Sequence, residues 1–245
     1  MPHFFIKTSD INGENIEITD KSTLHHLSRV MRLKTGEKLL LVDENQTSYT
    51  VQVTEVAPKF INARILTSEK ANHFLKTELF LAQGVLKSDA QALVIQKATE
   101  LGVKGIYPVL TDNTVVKSSV IDAKIEKWNK YALEAVKQCE RTDIPTVFER
   151  TTIEKLLESG EFATVIACVE RTQESTLKAA LKKIENRGKI LVIIGPEGGF
   201  SAREVELFKK YKIHRVSLGK LILRAETAVI TALSNIIYEL EDEEL

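Results

Sequence analysis

Two glycine-bearing turns near the end of the chain place the strongest constraint on its fold. Each follows a short apolar run and precedes a helical pattern: KILVIIGPEGGFSAREVELF covers residues 189–208, and RVSLGKLILRAETAVITAL covers residues 215–233. We expect the two apolar runs to form neighbouring strands of a parallel sheet, because open α/β folds bind ligands at the carboxyl ends of such strands. The pattern predicts a cleft lined largely by backbone.

The first turn has a sharply specified shape. Its preceding strand, residues 190–194, is continuously apolar, as expected for a strand buried on both faces. Glycines at 195, 198 and 199 allow close approach to the main chain, and Pro196 stiffens the turn. Ser201 and Glu204 have the spacing of a capping box, so the following helix begins at a defined residue.

The second turn changes the interpretation from a plain connection to a ligand site. One glycine-rich turn is often only a tight strand-to-helix link, and this one matches neither G-x-G-x-x-G nor G-x-x-x-x-G-K-[ST]. The second turn brings Gly219, and then Arg224 and Glu226, to the same predicted edge of the sheet. An arginine and a glutamate at the mouth of an apolar cleft are hard to explain by packing, so we expect a ligand there.

Composition limits the classes of partner. Lys plus Arg and Asp plus Glu number 34 each, so any nucleic-acid surface has to be a local basic patch. No apolar run approaches the length of a membrane span, and the first residues lack the pattern of a signal peptide. Cys139 and Cys168 do not have the spacing of metal ligands. We therefore predict no metal site, no membrane partner and a cytoplasmic location.

The hydrophobic pattern divides the chain in two. Residues 1–72 show the alternation of β-strands, interrupted by one helix at about 23–32. Residues 73–245 alternate strands with helices, which is typical of a parallel sheet covered on both faces. We predict an α/β protein with domains at 1–72 and 73–245, joined by the polar stretch near residues 68–76.

Further segments resemble a known family. GPEGGF paired with LGKLILRAETA, together with QKATELGV, EAVKQCERTDIP and HHLSRVMRLKTGE, is similar to the ribosomal RNA small-subunit methyltransferase E family, over nearly the whole chain. The resemblance implies a SPOUT-type, trefoil-knotted parallel-sheet domain behind a PUA-like β-barrel domain that binds RNA. It also implies methylation of N3 of a uridine in 16S rRNA. At Asp112-Asn113 the family usually carries Glu-Arg, so we assign no RNA contact to Asn113.

The resemblance implies S-adenosylmethionine (SAM) as the cofactor. Backbone and apolar groups of the two turns would wall its pocket, with one carboxylate at the end of another strand completing the rim. The predicted cofactor-binding residues are Glu170, Gly195, Pro196, Glu197, Gly198, Gly199, Leu218, Gly219, Ile222, Leu223, Thr227 and Ala228.

The predicted catalytic residues are Arg224 and Glu226. Removal of the N3 proton leaves negative charge on the uracil carbonyl groups, which a guanidinium can stabilise. Glu226 is a candidate for the base that takes this proton, and equally for a residue that orients Arg224 or caps the last helix.

RNA contacts are predicted on two segments. An ordinary solvated face would explain the charges of the first helix, and helix capping would explain the cation at the end of another, but the resemblance makes both candidates for RNA binding. On the helix at 23–32, the apolar face has Leu24, Leu27 and Met31, and the polar face has His25, Arg29 and Arg32, with Lys34 following. The second segment contributes Arg141, which Gln138 would orient.

Two other functions remain open from the sequence. One is a SPOUT enzyme that methylates the ribose 2′-hydroxyl, whose relatives usually carry S-L-N-x-S where this chain has SLGKL at 217–221. The other is a non-catalytic RNA-binding or ribosome-assembly factor that retains the fold. The resemblance implies 16S rRNA or the small ribosomal subunit as partner, and a homodimer.

Overall fold

Two sheets organise the part of the chain that the computed structural model describes, which comprises residues 3–70, 75, 77–170, 172, 174–184 and 188–241. The first unit, Met1–Phe74 with Val136–Asp143, contains a six-stranded sheet, and the second, Leu75–Ala135 with Ile144–Leu245, contains a seven-stranded sheet. The boundary expected at residues 72 and 73 lies outside the described residues. Residues 136–143 were expected in the second domain but cluster with the first unit.

The first unit is a mainly antiparallel sheet around an apolar core. Its strands are β1 His3–Phe5, β2 Ile11–Asn12, β3 Asn15–Ile18, β4 Lys38–Val42, β5 Thr47–Val56 and β6 Ile61–Lys70. They lie in the order β1-β4-β5-β6-β3-β2, and among the described residues of this sheet only the β1–β4 pair is parallel. Alternate residues of the strands, such as Val51 and Val53, are buried, which confirms the predicted alternation.

The helix of this unit differs from its prediction. It begins as α1, Lys21–His25, with the Asp20 side chain accepting from the N–H of Thr23, and continues as a π-helical turn, His26–Val30. A π-helical turn has more residues per turn than an α-helix. Met31 therefore does not return to the buried face and is 38% exposed, whereas Leu33 is only 7% exposed.

The second unit alternates strands and helices, as predicted. Its strands are β7 Leu79–Gly84, β8 Gly105–Leu110, β9 Thr146–Val147, β10 Thr151–Thr152, β11 Thr164–Cys168, β12 Ile190–Ile194 and β13 His214–Val216. All strand pairs among the described residues of this sheet are parallel, in the order β10-β8-β7-β12-β11-β13, and β9 also pairs with β8. Its helices are α2 Ser88–Glu100, α3 Ser118–Asp122, α4 Ile125–Cys139 (residues 136–139 of which belong to the first unit), α5 Ile153–Glu158, α6 Leu177–Leu181, α7 Ala202–Lys210 and α8 Ala225–Leu240.

Strand β12 explains why the parallel sheet is covered on both faces. All five of its residues are buried. Ile190, Val192 and Ile194 pack in a core with residues of α2 and α8, while Leu191 and Ile193 pack in a separate core with Phe208 of α7. A continuous apolar run therefore serves two helix layers.

One predicted feature of the sheet is wrong. Strands β12 and β13 were expected to be neighbours, but β11 lies between them and pairs with both. The reason is that β13 enters the sheet at the open edge of β11, where Val216 pairs with Cys168. The carboxyl end of β11 consequently lies between the two glycine-bearing turns.

Candidate functional site

The first glycine-bearing turn connects β12 to α7 in a fixed conformation. Gly199 has a φ of 65°, which favours glycine, and its N–H donates to the Pro196 carbonyl at 2.9 Å. Ser201 caps α7, and its side chain and that of Glu204 form the predicted capping box. The shape of the turn is therefore defined before any ligand binds.

Amide side chains from outside the turn hold its carbonyl groups. Nε2 of Gln83, at the end of β7, lies 3.2 Å from the Gly195 oxygen. Nδ2 of Asn113 donates to the oxygens of Gly198 and Gly199 at 3.0 and 3.2 Å. The N–H groups of Glu197 and Gly198 donate to no acceptor in the part of the chain that the structure describes. The turn therefore keeps donors available for a ligand.

The second segment, residues 217–224, follows β13. The hydroxyl of Ser217 donates to the Gly219 carbonyl at 2.9 Å and accepts from the Gly219 N–H at 3.2 Å, and Gly219 has a φ of 145°. Beyond this turn, Leu221 is 81% exposed and Ile222 is 56% exposed. The segment thus presents apolar side chains to solvent beside an ordered turn.

The two turns wall one cavity of about 910 Å³ within the second unit. Its lining includes all but one of the predicted cofactor-binding and catalytic residues. Thr227 is absent from the lining and is exposed. Sequence reasoning missed other lining residues, which include Ala90, Cys168, Val169, Phe200, Ser217 and Lys220. Cys168 and Val169 were missed because the placement of β11 between β12 and β13 was not predicted.

The cavity is lined by charges of both signs. Glu170, Glu197 and Glu226 contribute carboxylates, while Lys220 and Arg224 contribute cations. The Glu197 carboxylate accepts the backbone N–H of Lys87 at 3.2 Å, so one carboxylate is held in place. A ligand with its own positive charge and an adjacent anionic group would complement this lining.

Arg224 and Glu226 lie where β13's loop becomes α8. Arg224 is the N-cap residue and is exposed, with its carbonyl accepting from the Ala228 N–H at 2.8 Å. Glu226 is half-buried in the first turn, where the helix dipole favours negative charge. Neither side chain makes a hydrogen bond or ion pair with another group in the described ranges. Both are therefore available to a ligand.

Cys168 lines the cavity but is a poor nucleophile. Burial raises the pKa of its thiol to about 12. The thiolate is the reactive form of cysteine, so this side chain contributes packing rather than covalent chemistry near neutral pH.

The cavity is braced from outside by a charged cluster. Asp112 accepts from Nε of Arg203 at 2.9 Å, and its own N–H donates to the buried carboxylate of Glu204 at 3.0 Å. Hydrogen bonds from Arg203 and Ser201 hold the pKa of Asp112 below its ordinary value. The loop that contains Asp112 and Asn113 is thus fastened to the start of α7.

The predicted RNA-binding residues of the first unit are surface groups. His25, Arg29, Arg32 and Lys34 are all exposed. Arg32 has a φ of 55° and ends the helical segment, where the Leu33 N–H donates to the Leu27 carbonyl at 3.0 Å. The helical spacing that grouped Arg32 with Arg29 therefore does not apply.

Gln138 and Arg141 have different surroundings, although both belong to the first unit. Gln138 is exposed at the end of α4. Arg141 is only 9% exposed, and its Nε and Nη2 atoms donate to both carboxylate oxygens of Asp143, at 3.0 and 2.8 Å. This bidentate pair gives Arg141 a structural role that requires no RNA contact.

The described residues contain neither a metal-ion cluster nor a membrane-spanning helix. No cluster of three or more His, Cys, Asp or Glu side chains could hold a metal ion there. None of the helices within the described ranges has the length and apolar character needed to span a bilayer.

The fold and the cavity define a class: a parallel α/β domain that binds a small molecule between two turns, joined to a separate β-rich unit. The chain belongs to the RNA methyltransferase family. The model of the RNA methyltransferase domain matches residues 74–237, and that of the RNA methyltransferase PUA domain matches residues 12–66. These matches confirm the family resemblance and the two-domain fold class.

Individual relatives agree with the family. The chain is 30% identical over 233 residues to the ribosomal RNA small subunit methyltransferase E of Rickettsia conorii, which covers 95% of this chain and 93% of the relative. The structure of such an enzyme from Neisseria gonorrhoeae bound to SAM is similar with a TM-score of 0.85, at 25% identity over 100% of both chains. A putative methyltransferase of Legionella pneumophila in complex with SAM has a TM-score of 0.84, at 27% identity over 96% of both chains.

Proposed function

We propose that this chain transfers the methyl group of SAM to N3 of a uridine in 16S rRNA. The observation that carries the proposal is the single cavity walled by both glycine-bearing turns, with Arg224 at its edge. It occurs in a chain similar over its full length to a small subunit methyltransferase E bound to SAM. The small ribosomal subunit is the corresponding partner, and an enzyme acting on it belongs in the cytoplasm.

The residues of the cavity fit SAM. A volume of about 910 Å³ is in the range of pockets that enclose small molecules. The N–H groups of Glu197 and Gly198 offer donors to the acceptor nitrogens of adenine, and the carboxylates of Glu170 and Glu226 complement a cofactor that carries ammonium and sulfonium charges. Bound SAM supplies an activated methyl group, so the protein chiefly positions the acceptor.

Arg224 is proposed to stabilise the acceptor base. Uridine N3 becomes a nucleophile when it loses its proton, and the resulting charge is shared with the adjacent carbonyl oxygens. A guanidinium provides fixed donors for such oxygens, and that of Arg224 has no protein partner within the described residues. The residue is thus free to bind the substrate in its anionic form.

Glu226 is proposed to take the N3 proton. It lines the same cavity as Arg224 and lies two positions further along the chain. A carboxylate there can accept a proton directly or through one water molecule. If it instead only orients Arg224, its replacement by Gln will change the affinity for the base more than the pH profile of turnover.

The basic groups of the first unit are proposed to bind RNA phosphates. Arg29, Arg32 and Lys34 are exposed near one another in sequence, with His25 one turn earlier. Exposed cations that release counterions supply most of the sequence-independent affinity for RNA. Gln138 is also exposed and is included in the proposed surface, whereas the pairing of Arg141 with Asp143 favours its structural role.

A homodimer is proposed as well. Helix α8 buries Val229, Leu233 and Ile236, but Tyr238 on the same helix is 86% exposed. The resemblance to the family implies a homodimer, and we propose that the exposed side of α8 around Tyr238 faces the second subunit. Light scattering that finds only monomer at micromolar protein would contradict this part of the proposal.

Titration with SAM and a methyl-transfer assay together test the proposal. We expect saturable binding of one SAM per chain and transfer of labelled methyl to 16S rRNA or to small subunits. Binding without transfer to either substrate would instead support a non-catalytic RNA-binding factor. Absence of SAM binding would overturn the assignment of the cavity.

A further inference from the structure

The loop between β8 and α3, which contacts the first glycine-bearing turn, is closed by hydrogen bonds of its own. The Thr114 N–H donates to the Thr111 carbonyl at 3.1 Å, and the Thr111 N–H donates to the Thr114 hydroxyl at 3.0 Å. The two hydroxyl groups are also 2.8 Å apart. Residues 111–114 therefore form a turn closed by its own hydrogen bonds, with Asn113 as one of the two central residues.

The same loop is bonded to α7, the helix that follows the first glycine-bearing turn. Asp112 pairs with Arg203 through Nε at 2.9 Å and Nη2 at 2.7 Å, and its N–H donates to Glu204 at 3.0 Å. Arg203 also pairs with Glu154 of α5. A bidentate pair in a network of this kind has a defined geometry, unlike an isolated surface pair. The Asn113 backbone is consequently held in a fixed position relative to α7.

Asn113 contacts the first glycine-bearing turn through hydrogen bonds and through close packing. Its amide donates to the carbonyls of Gly198 and Gly199, and a Cβ placed on Gly198 would lie 3.0 Å from the Asn113 Cβ. These carbonyl groups belong to residues that line the cavity, whereas Asn113 itself is not part of the lining. Asn113 therefore acts on the cavity through the backbone of the turn.

We propose that Asn113 is a positioning residue for the cofactor: its amide fixes the Gly198 and Gly199 carbonyls so that the turn presents its N–H groups to SAM. The inference rests on the proposed function of the cavity. It assigns Asn113 to cofactor binding rather than to the RNA surface. An amide is suited to this position because it donates two hydrogen atoms, one for each carbonyl oxygen.

The effect follows from the chemistry of the replacement. Asn113→Ala removes both hydrogen bonds, and we expect the dissociation constant for SAM to rise about tenfold, because the turn then has to be ordered on binding. Asn113→Asp keeps the shape but places carboxylate oxygens against two carbonyl oxygens, and we expect a larger rise. The Michaelis constant for RNA should stay unchanged in both variants.

The test is calorimetric titration of S-adenosylhomocysteine, the unreactive product, into wild type, the two Asn113 variants and matched controls. Asn235→Ala and Asn235→Asp are the controls, since Asn235 donates only to the Thr231 carbonyl of its own helix. We expect the dissociation constant for S-adenosylhomocysteine to rise in the Asn113 variants alone, with an unchanged stoichiometry of binding. The thermal midpoint and the RNA Michaelis constant are measured in parallel.

Each other outcome overturns the inference. Unchanged dissociation constants for S-adenosylhomocysteine would show that Asn113 does not position the cofactor. A lower stoichiometry at an unchanged dissociation constant would show that Asn113 only supports folding. An unchanged constant with a raised Michaelis constant for RNA would make Asn113 an RNA contact. If wild type itself fails to bind the product, the proposed function of the cavity fails, and the role of Asn113 fails with it.

Discussion

The main chains at Gly84 and Pro196 meet so closely that a Cβ on Gly84 would lie 2.6 Å from both the Cδ and the nitrogen of Pro196. The end of β7 thus supports the first glycine-bearing turn directly, without an intervening side chain. Gln83, the preceding residue, adds a hydrogen bond to the Gly195 carbonyl at 3.2 Å. The first glycine-bearing turn therefore rests on the end of a strand whose residues are all buried.

Replacement of Gly84 by Ala should displace the turn. We expect a loss of stability of about 1–3 kcal/mol, because overpacking forces the backbone to shift, together with weaker SAM binding. Chemical denaturation and SAM titration measure the two effects. Gly160→Ala is the control: Gly160 has a φ of 63° but nothing within 4 Å of an added Cβ, so it should lose stability without losing affinity for SAM. Equal SAM affinity in all three proteins would contradict the support role of Gly84.

Replacement of Arg224 by Ala should separate catalysis from cofactor binding. We expect turnover to fall by about 10²–10³-fold, the usual cost of removing a donor that stabilises developing charge, while the dissociation constant for SAM changes less than about twofold. Single-turnover methyl transfer and calorimetry measure these quantities. Arg224→Lys, which keeps the charge but loses the planar donors, should recover only part of the rate. Full activity of the Ala variant would discard the assignment.

Loss of charge from the first unit should weaken RNA binding in a salt-dependent way. With Arg29→Ala and Arg32→Gly combined, we expect the slope of log affinity against log salt to become shallower by about 1.4–1.8, because two phosphate contacts disappear. Glycine is used at Arg32 because of its positive φ of 55°. Lys59→Ala, at an exposed turn between β5 and β6, is the control and should leave the slope unchanged. An unaltered slope in the double variant would remove these residues from the RNA surface.

The stability of the protein should depend on pH through His3. This side chain is 1% exposed, and burial lowers the pKa of its imidazole below the ordinary 6.5. The folded state therefore binds fewer protons than the unfolded state. The contribution of neutral His3 to the free energy of unfolding is fully present above pH 6.5 and is lost as the pH falls through that value, by at most about 1.4 kcal/mol per pH unit.

Urea denaturation at several pH values between 8 and 5 measures this dependence. His3→Phe should reduce the slope of unfolding free energy against pH, since the variant lacks the buried imidazole of His3. His25→Gln is the control, because His25 is exposed. Identical slopes of unfolding free energy against pH in wild type and His3→Phe would show that protonation of His3 does not affect stability.

Local features of the fold followed from the sequence where a few adjacent residues determine them. The strand at 190–194, the turn after it and the cap at Ser201 were predicted, because β-propensity, glycine and capping chemistry all act within a short span. Features that depend on distant parts of the chain were not predicted. The insertion of β11 between β12 and β13 is one, and with it the contribution of Cys168 to the cavity.

Two smaller differences have the same origin. The π-helical turn at 26–30 leaves Met31 exposed, because a π-helical turn contains one residue more than an α-helical turn. The hydrophobic pattern of a single sequence does not indicate where such a turn occurs. Asn113 was noted only as a departure from a basic residue, yet it lies against Gly198, more than eighty positions away in the chain. Contacts between loops of such separation depend on the complete topology of the sheet.

The most direct test of the central claim is to identify the methylated nucleoside. Purified protein is incubated with labelled SAM and either 16S rRNA or small subunits from cells that lack the modification, and the RNA is digested to nucleosides. We predict that the label is recovered in 3-methyluridine and that Arg224→Ala gives none above background. Label in a 2′-O-methylated nucleoside, or equal label with the variant, would contradict the account.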